Sequence, residues 1–528
     1  MIMRSRFLKK EALAISIGTL LPFQLSAKEK KQERAKPNIL LVVADDQSFP
    51  HAGVYGCSWV RTPAFDYVAA HGILVNNCYT SNAKSSPSRA SLITGLYSWQ
   101  LEEAGNHIPN WPIDKYPTIF ETLSQKGYYA GYTGKGWAPG TPGTMNGQPR
   151  ELVGRKYTEL LCNPPTPAMA TWDYTNNFRQ FLSDVPEHQP WIFWMGIREP
   201  HRPYEFMSSL HKNGRQPQDV DAIPAYWPDN DTVRTDMLDY AYEIEYYDTH
   251  MQRVLDLLRS NGQLDNTLII WTADNGMPFP RRKGQSYECS THVPMAIMWT
   301  NGIKNPGRQC HEYVNLIDIV PTIMKLTGYS AQDLGMETPS GAELTDILQD
   351  RPSHRHDYLL FGRERHDAAR PHNQGYPIRG IIEDGYLYIY NFKPELWPAG
   401  NPEMGYRDTD SSPTKSTILN LHRRDAHSVY WHLCFDLHPQ EELYHVEQDR
   451  DCIHNLAAAQ PQRMARMKAK LFRLLQKQQD PRLAGRGDAF DGYPFYRKKF
   501  WNLYENIILK KHEDPTRGLF WESDVDVF

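Results

Sequence analysis

The chain has 528 residues, 23% of them charged and 40% hydrophobic, which is the balance of a folded globular protein with more than one small core. A formal net charge of −4 speaks against a nucleic-acid partner, because such binding is driven by clustered positive charge. Any anionic ligand must therefore be recognised locally, and the rich aromatic content (12%) leaves a sugar-binding cleft open among other large-enzyme architectures.

The N-terminus carries Arg4, Arg6, Lys9 and Lys10, then a mostly apolar run over 12–25, then Leu25-Ser26-Ala27. That order predicts a secretory signal over 1–27, cleaved after Ala27, and a periplasmic or secreted protein. No cysteine stands directly after the cleavage point, so a lipid anchor is not expected. No other run is long enough to span a bilayer, and no membrane association is expected once the signal is gone. Seven cysteines, Cys57, Cys78, Cys162, Cys289, Cys310, Cys434 and Cys452, form no CxxC pair and no zinc spacing.

After a charged linker at 28–36, the run Asn38-Ile39-Leu40-Leu41-Val42-Val43-Ala44 predicts a strand buried on both faces, ending at Asp45-Asp46. Similar strands are predicted at 191–196 and 267–272, with helices at 118–126, 238–260 and 314–326 between and after them. Alternation of this kind predicts an α/β fold, a large mostly parallel sheet flanked by helices, over 37–350. From 352 to 478 the pattern changes to hairpin strands, such as 386–391, and an amphipathic basic helix at 460–478. This predicts a smaller C-terminal α+β domain. The aromatic-rich tail, 479–528, reads as a segment wrapping back onto the body.

Residues 85–95 read Ser85-Ser86-Pro87-Ser88-Arg89-Ala90-Ser91-Leu92-Ile93-Thr94-Gly95. Proline suits the first turn of a helix, where its missing N–H costs nothing. Ser85 is thereby expected just ahead of a helix N-terminus, with free backbone donors nearby and Arg89 on the same face. Such a hydroxyl, guanidinium and helix end suit a tetrahedral oxyanion. The plain alternative is an ordinary proline-started helix.

Asp45 and Asp46 close one predicted strand, and Asp274 and Asn275 close another. All four offer hard oxygen donors, suited to calcium or magnesium and not to zinc. Either pair alone reads as a turn or cap; two pairs at central strand ends read as a metal site. Lys135 follows the strand-like 128–132, His201 lies in a proline-flanked loop after 191–196, and Lys283 lies nine residues after Asp274. Alone, each is compatible with a solvated loop.

Taken together these motifs resemble the sulfatases of the alkaline phosphatase superfamily. The matching elements are Ala44-Asp45-Asp46, the Ser85–Gly95 signature, Thr133-Gly134-Lys135, Pro200-His201, Ala273-Asp274-Asn275-Gly276, and Lys283 followed by Tyr287-Glu288. Within the family, Asp274-Asn275-Gly276-Met277-Pro278-Phe279-Pro280, Tyr376-Pro377-Ile378-Arg379 and Asn391-Phe392-Lys393 resemble the heparan N-sulfatase (sulfamidase) branch.

The resemblance implies a sulfated saccharide substrate, with N-sulfated glucosamine favoured. It implies one calcium ion on Asp45, Asp46, Ser85, Asp274 and Asn275, and oxidation of Ser85 to formylglycine. Ser85, Arg89, Lys135, His201 and Lys283 are the implied catalytic set, with Lys135 and Lys283 holding sulfate charge and His201 protonating the leaving group. Arg363, Arg365, His366 and Arg379 are the expected saccharide contacts.

Three positions depart from the family pattern. A serine stands where many members have cysteine, which implies a radical-type, oxygen-independent sulfatase-maturating enzyme as partner. Trp137 replaces the usual histidine two residues after Lys135. Lys283 stands where the sulfamidase branch has arginine. Other readings are an O-sulfatase on another glycosaminoglycan or an algal polysaccharide, a phosphohydrolase using Ser85 directly, and an inactive sugar-binding homologue.

Overall fold

The computed structural model describes residues 36–352 and 355–509. The signal expected at 1–27 and the last part of the tail, 510–528, lie outside the described residues. Fourteen strands run through the described residues. They are β1 Asn38–Ala44, β2 Ile73–Tyr79, β3 Tyr129–Gly134, β4 Thr144–Met145, β5 Gln148–Pro149, β6 Arg155–Lys156 and β7 Trp191–Gly196, then β8 Thr267–Ala273, β9 Met295–Met298, β10 Arg308–Asn315, β11 Tyr358–Arg363, β12 Ile378–Glu383, β13 Tyr386–Asn391 and β14 Glu441–His445.

Eight of them form one sheet in the order β10-β2-β9-β8-β1-β7-β3-β6. Strand β9 runs antiparallel to β2 and β8, and the other pairings are parallel. Residues 39–44 of β1 are all but inaccessible to solvent, as are those of β7 and β8. A strand covered on both faces must be apolar throughout, which is why these three read as unbroken hydrophobic runs.

The flanking helices start where the chain supplies caps. The helix Ile119–Gln125 opens on a reciprocal box: Thr118 Oγ1 accepts from the Glu121 N–H, and Glu121 Oε2 accepts from the Thr118 N–H. The long helix Asp231–Ser260 starts seven residues earlier than the hydrophobic pattern indicates, because Asn230 caps the Val233 N–H and Val233 and Met237 are already buried. The expected helix at 314–326 is corrected at its start. Val314 and Asn315 belong to β10, paired with Cys78 and Tyr79, and the helix itself is Ile319–Thr327.

Strands β11 to β14 form a second, antiparallel sheet. The helix Pro461–Lys477 covers it with Met467, Leu471 and Leu475, one every four residues, against Leu360, Ile381, Tyr388 and Leu443. This sheet is not a separate body. The described residues from Lys36 onward pack as one unit, and the Gly362 N–H of β11 donates to the Ser81 carbonyl at 2.9 Å.

Strands β8, β1, β7 and β3 are adjacent and parallel, with Ala44 level with Ala273, Val43 with Gly196, and Gly134 with Gly196. Four carboxyl ends therefore emerge side by side along one edge of the sheet, where open α/β sheets bind ligands. The ends of β3 and β7 press together. A Cβ on Gly196 would collide with the Lys135 carbonyl, and Gly134 has φ +69. Only glycine fits either place.

Candidate active site

Each of the four strand ends delivers one part of a cluster. Strand β1 presents Asp45 and Asp46, β8 presents Asp274 and Asn275, β3 presents Lys135, and the loop after β7 presents His201. A fifth part comes from the helix Ser85–Thr94, which closes at Gly95 with φ +75. Ser85 is the first residue of that helix, with Lys84 as its cap, so the helix starts earlier than the sequence pattern suggests, which placed Ser85 just ahead of it. The helix is buried along its whole length, so its polar side chains must find partners inside the protein.

They do. Ser85 Oγ donates to Asp45 Oδ1 at 3.0 Å, and Lys135 Nζ reaches both Asp45 Oδ2 at 2.5 Å and Ser85 Oγ at 3.1 Å. Arg89 bridges two strand ends: Nε donates to Asp274 Oδ2 at 2.8 Å, and Nη2 lies 3.3 Å from Asp45 Oδ1. Its Nη1 also binds the Lys135 and Gly136 carbonyls, each at 2.9 Å. Lys283 Nζ donates to Asp46 Oδ2 at 2.6 Å and lies 3.3 Å from Asp410 Oδ2. His201 Nε2 stands 3.9 Å from Asp46 Oδ2, and its Nδ1 lies 2.5 Å from the Arg202 carbonyl. A carbonyl only accepts, so Nδ1 carries the hydrogen and Nε2 faces the cluster.

Oxygens of Asp45, Asp46 and Asp274 lie within 4.8 Å of one another, all buried. Asn275 Nδ2 donates to Asp46 Oδ1 at 2.7 Å, which leaves Asn275 Oδ1 buried with no hydrogen-bond partner. An unpaired acceptor beside three carboxylates fits a hard divalent cation, which takes six or more oxygens at about 2.3–2.6 Å.

The electrostatics agree. Burial pushes both Asp46 and Asp274 up to about 6, with the charge on Asp45 adding to each. Burial also opposes ionisation of Asp45, but the cations Lys135, Arg89 and Lys283 outweigh it and hold that carboxyl well below the usual range. Burial, then Lys283, lowers His201 to about 3, which favours the neutral ring.

The cluster forms the floor of a cleft of about 590 Å³, within the usual range of small-ligand sites. Asp45, Ser85, Lys135, His201 and Lys283 line it. The four expected saccharide contacts do not, and this is a correction. Arg363 pairs with Asp408, Arg379 with Glu364 and Asp480, Arg365 lies over the Phe495 ring and bonds the Asp491 carbonyl, and His366 bonds Asn82. All four are at most 1% exposed, because each links chain segments in the interior.

Trp137 also points away from the cleft. Its indole N–H donates to the Ser86 carbonyl at 3.0 Å, and its ring meets Trp111 edge-on, so it braces the start of the Ser85 helix from behind. Residues the sequence reading missed complete the walls: Lys84 on Asp367 at 2.7 Å, His107 on Asp367 at 2.8 Å, Asp410, Trp172, Arg198 and Arg497. Lys84 could have been suspected from its place beside Ser85. The others carry no local signal.

Comparison with known proteins gives a consistent picture. The family model described as "Sulfatase" matches residues 37–329. Human N-sulphoglucosamine sulphohydrolase is 28% identical over 427 residues, 73% of this chain and 79% of that protein. An ulvan-active sulfatase of Formosa agariphila is 24% identical over 458 residues, 80% of this chain and 71% of that one. A solved structure, in complex with its substrate D-glucosamine-2-N,6-O-disulfate, superposes with a TM-score of 0.57 at 17% identity. It covers 88% of this chain and 100% of that one, a likeness of fold.

Proposed function

This chain belongs to the sulfatase family, and from that premise we propose that it hydrolyses the N-linked sulfate of glucosamine in heparin or heparan sulfate fragments. The observation that carries the reading is the position of Ser85 Oγ. It lies at the floor of the cleft, between the Asp45 carboxylate and the Lys135 ammonium, next to a cluster of oxygen donors suited to one calcium ion. The N-sulfated glucosamine preference is supported by the relative that is 28% identical.

Asp45, Asp46, Asp274 and Asn275, with Ser85, would hold the ion. When bound it supplies positive charge to sulfate oxygens and lowers the pKa of a neighbouring hydroxyl. Ser85 is the site we assign to formylglycine, made by a radical-type maturating enzyme; a hydrated aldehyde gives that position two hydroxyls, one to attack and one to release sulfate. Lys135 and Lys283 are already fixed by Asp45 and Asp46, so their charge is preorganised for a sulfate oxygen. Arg89 ties Asp45 to Asp274 and keeps the donors converged. His201, neutral with Nε2 facing the cluster, takes up a proton once substrate charge offsets Lys283, and passes it to the departing amine.

The test is sulfate release from N-sulfoglucosamine against 6-O-sulfated N-acetylglucosamine. Release from the first and not the second is expected. The reverse result would favour the O-sulfatase reading, which the ulvan-active relative motivates.

A further inference from the structure

The segment 493–509 does not trail away from the body. Phe495 bridges to Pro109, and the Tyr496 N–H donates to the Ile108 carbonyl at 3.1 Å. Phe495, Phe500 and Leu503 bury themselves with Ile108, Ala368 and Met404 in a small core of their own. Two amides lock the segment further on: the Asn502 N–H donates to Asn373 Oδ1, and Asn373 Nδ2 donates to Asn502 Oδ1, each at 2.8 Å. The effect is to hold Tyr496 and Arg497 as part of the cleft wall, in company with Trp172.

Cations deeper in the cleft are already committed. Lys84 is paired with Asp367, Lys135 with Asp45, Lys283 with Asp46, and Arg202 with Asp236, and Arg198 donates to the Ala168 carbonyl at 2.8 Å. Arg497 differs. It is exposed, lies 5.0 Å from the Tyr496 ring centroid, and pairs with no carboxylate among the described residues. A guanidinium with no carboxylate partner among the described residues, at the rim of an anion-processing cleft, is available for a ligand's charge, and its fork matches a planar carboxylate or a sulfate. The half-buried rings of Tyr496 and Trp172 offer apolar faces to a sugar ring, with polar edges toward solvent.

We propose that Tyr496 and Arg497 form a second-sugar subsite at the cleft mouth, which takes an acidic saccharide unit linked to the one that loses sulfate. This rests on the saccharide sulfatase reading and names the chemistry of the neighbouring unit. It also assigns to the tail the role that Arg363, Arg365, His366 and Arg379 cannot fill from the interior.

The test compares the intact protein with Arg497→Ala and Arg497→Lys. Three substrates are used: N-sulfoglucosamine alone, the same sugar linked to a uronate, and that disaccharide with its carboxyl reduced to an alcohol. The expected result is that the ratio of kcat/KM for the uronate disaccharide to that for the monosaccharide falls at least tenfold in Arg497→Ala, through KM, with partial recovery in Arg497→Lys. The carboxyl-reduced disaccharide should show little dependence on residue 497. An unchanged ratio would overturn the subsite, and so would equal losses on all three substrates, which would mark a folding role. Equilibrium binding of the uronate disaccharide to Ser85→Ala protein, with and without Arg497→Ala, reads the subsite even if no N-linked sulfate is released. At least fivefold weaker binding in the double variant is expected, and equal binding would overturn the proposal independently of the substrate assignment.

Discussion

Ser85 is held by groups of opposite charge, a carboxylate that accepts its proton and an ammonium that approaches its oxygen. That placement suits a nucleophile, and unmodified it would leave a sulfate ester that only external water could break. Ser85→Ala is expected to abolish sulfate release while leaving the melting curve intact, since only one side-chain oxygen is lost from a helix that stays buried. Intact-mass analysis of protein from a host with a radical-type maturase should show a loss of about two hydrogens at Ser85. Full turnover by protein carrying unmodified serine alone would refute the assignment. At this scale the sequence was legible where chemistry is tied to a strand end or a helix start: Asp45, Asp46, Ser85, Arg89, Lys135, His201, Asp274, Asn275 and Lys283 converge in one cluster. Arg363, Arg365, His366 and Arg379 misled because a run of charged residues reads alike in a solvated loop, a binding site or a buried ion-pair network. Their partners, Asp408, Asp480, Asp491 and Asn82, lie far away in the chain, and no local pattern announces them.

Strands β3 and β7 set the distance between Lys135 and the rest of the site, and they do so through glycine. Gly134 and Gly196 face each other at the two strand ends, and the Lys135 N–H donates to the Gly196 carbonyl at 2.7 Å. Gly196→Ala puts a methyl group into the Lys135 carbonyl and must push the strand ends apart. An overpacking cost of about 1–3 kcal/mol is expected. Sulfate release should fall as well, because Arg89 grips that same Lys135 carbonyl. Denaturant unfolding and kcat/KM measured on one preparation check both effects, and a variant as stable and active as the parent would show that the contact is slack. The elements were legible where burial is two-sided or a cap is present, as in β1, β7, β8 and the helix Ile119–Gln125. They were less so where a strand runs straight into a helix. Val314 continues the apolar pattern of the helix Ile319–Thr327, and only pairing with β2 assigns it and Asn315 to β10.

Across the whole molecule, one sheet edge gathers three buried carboxylates whose mutual repulsion only partly finds a cure within the chain. Asp45 is satisfied by Lys135 and Arg89, whereas burial leaves Asp46 and Asp274 near 6. An unfolded aspartate titrates near 3.9. A folded pKa raised in this way means that, in ion-free protein, the stability associated with these two groups is fully present below about pH 4 and is lost as pH rises through 6. A divalent cation reverses that balance, because it binds the ionised carboxylates and must displace protons below pH 6. The rise in melting temperature on adding calcium to chelator-treated protein should therefore be largest at pH 7.5 and shrink steadily toward pH 5. At one hundred times its Kd the ion should add about 2.7 kcal/mol at the upper pH. Asp274→Asn removes one of the two titrating groups and a charged donor, so it should lower both the size of the calcium effect and its dependence on pH. Thermal melts across that range, with and without calcium, distinguish the cases. A calcium effect of equal size at pH 5 and 7.5 would mean that the ion sits elsewhere, and no effect at either pH would remove calcium from the site that Asp45, Asp46, Asp274 and Asn275 build.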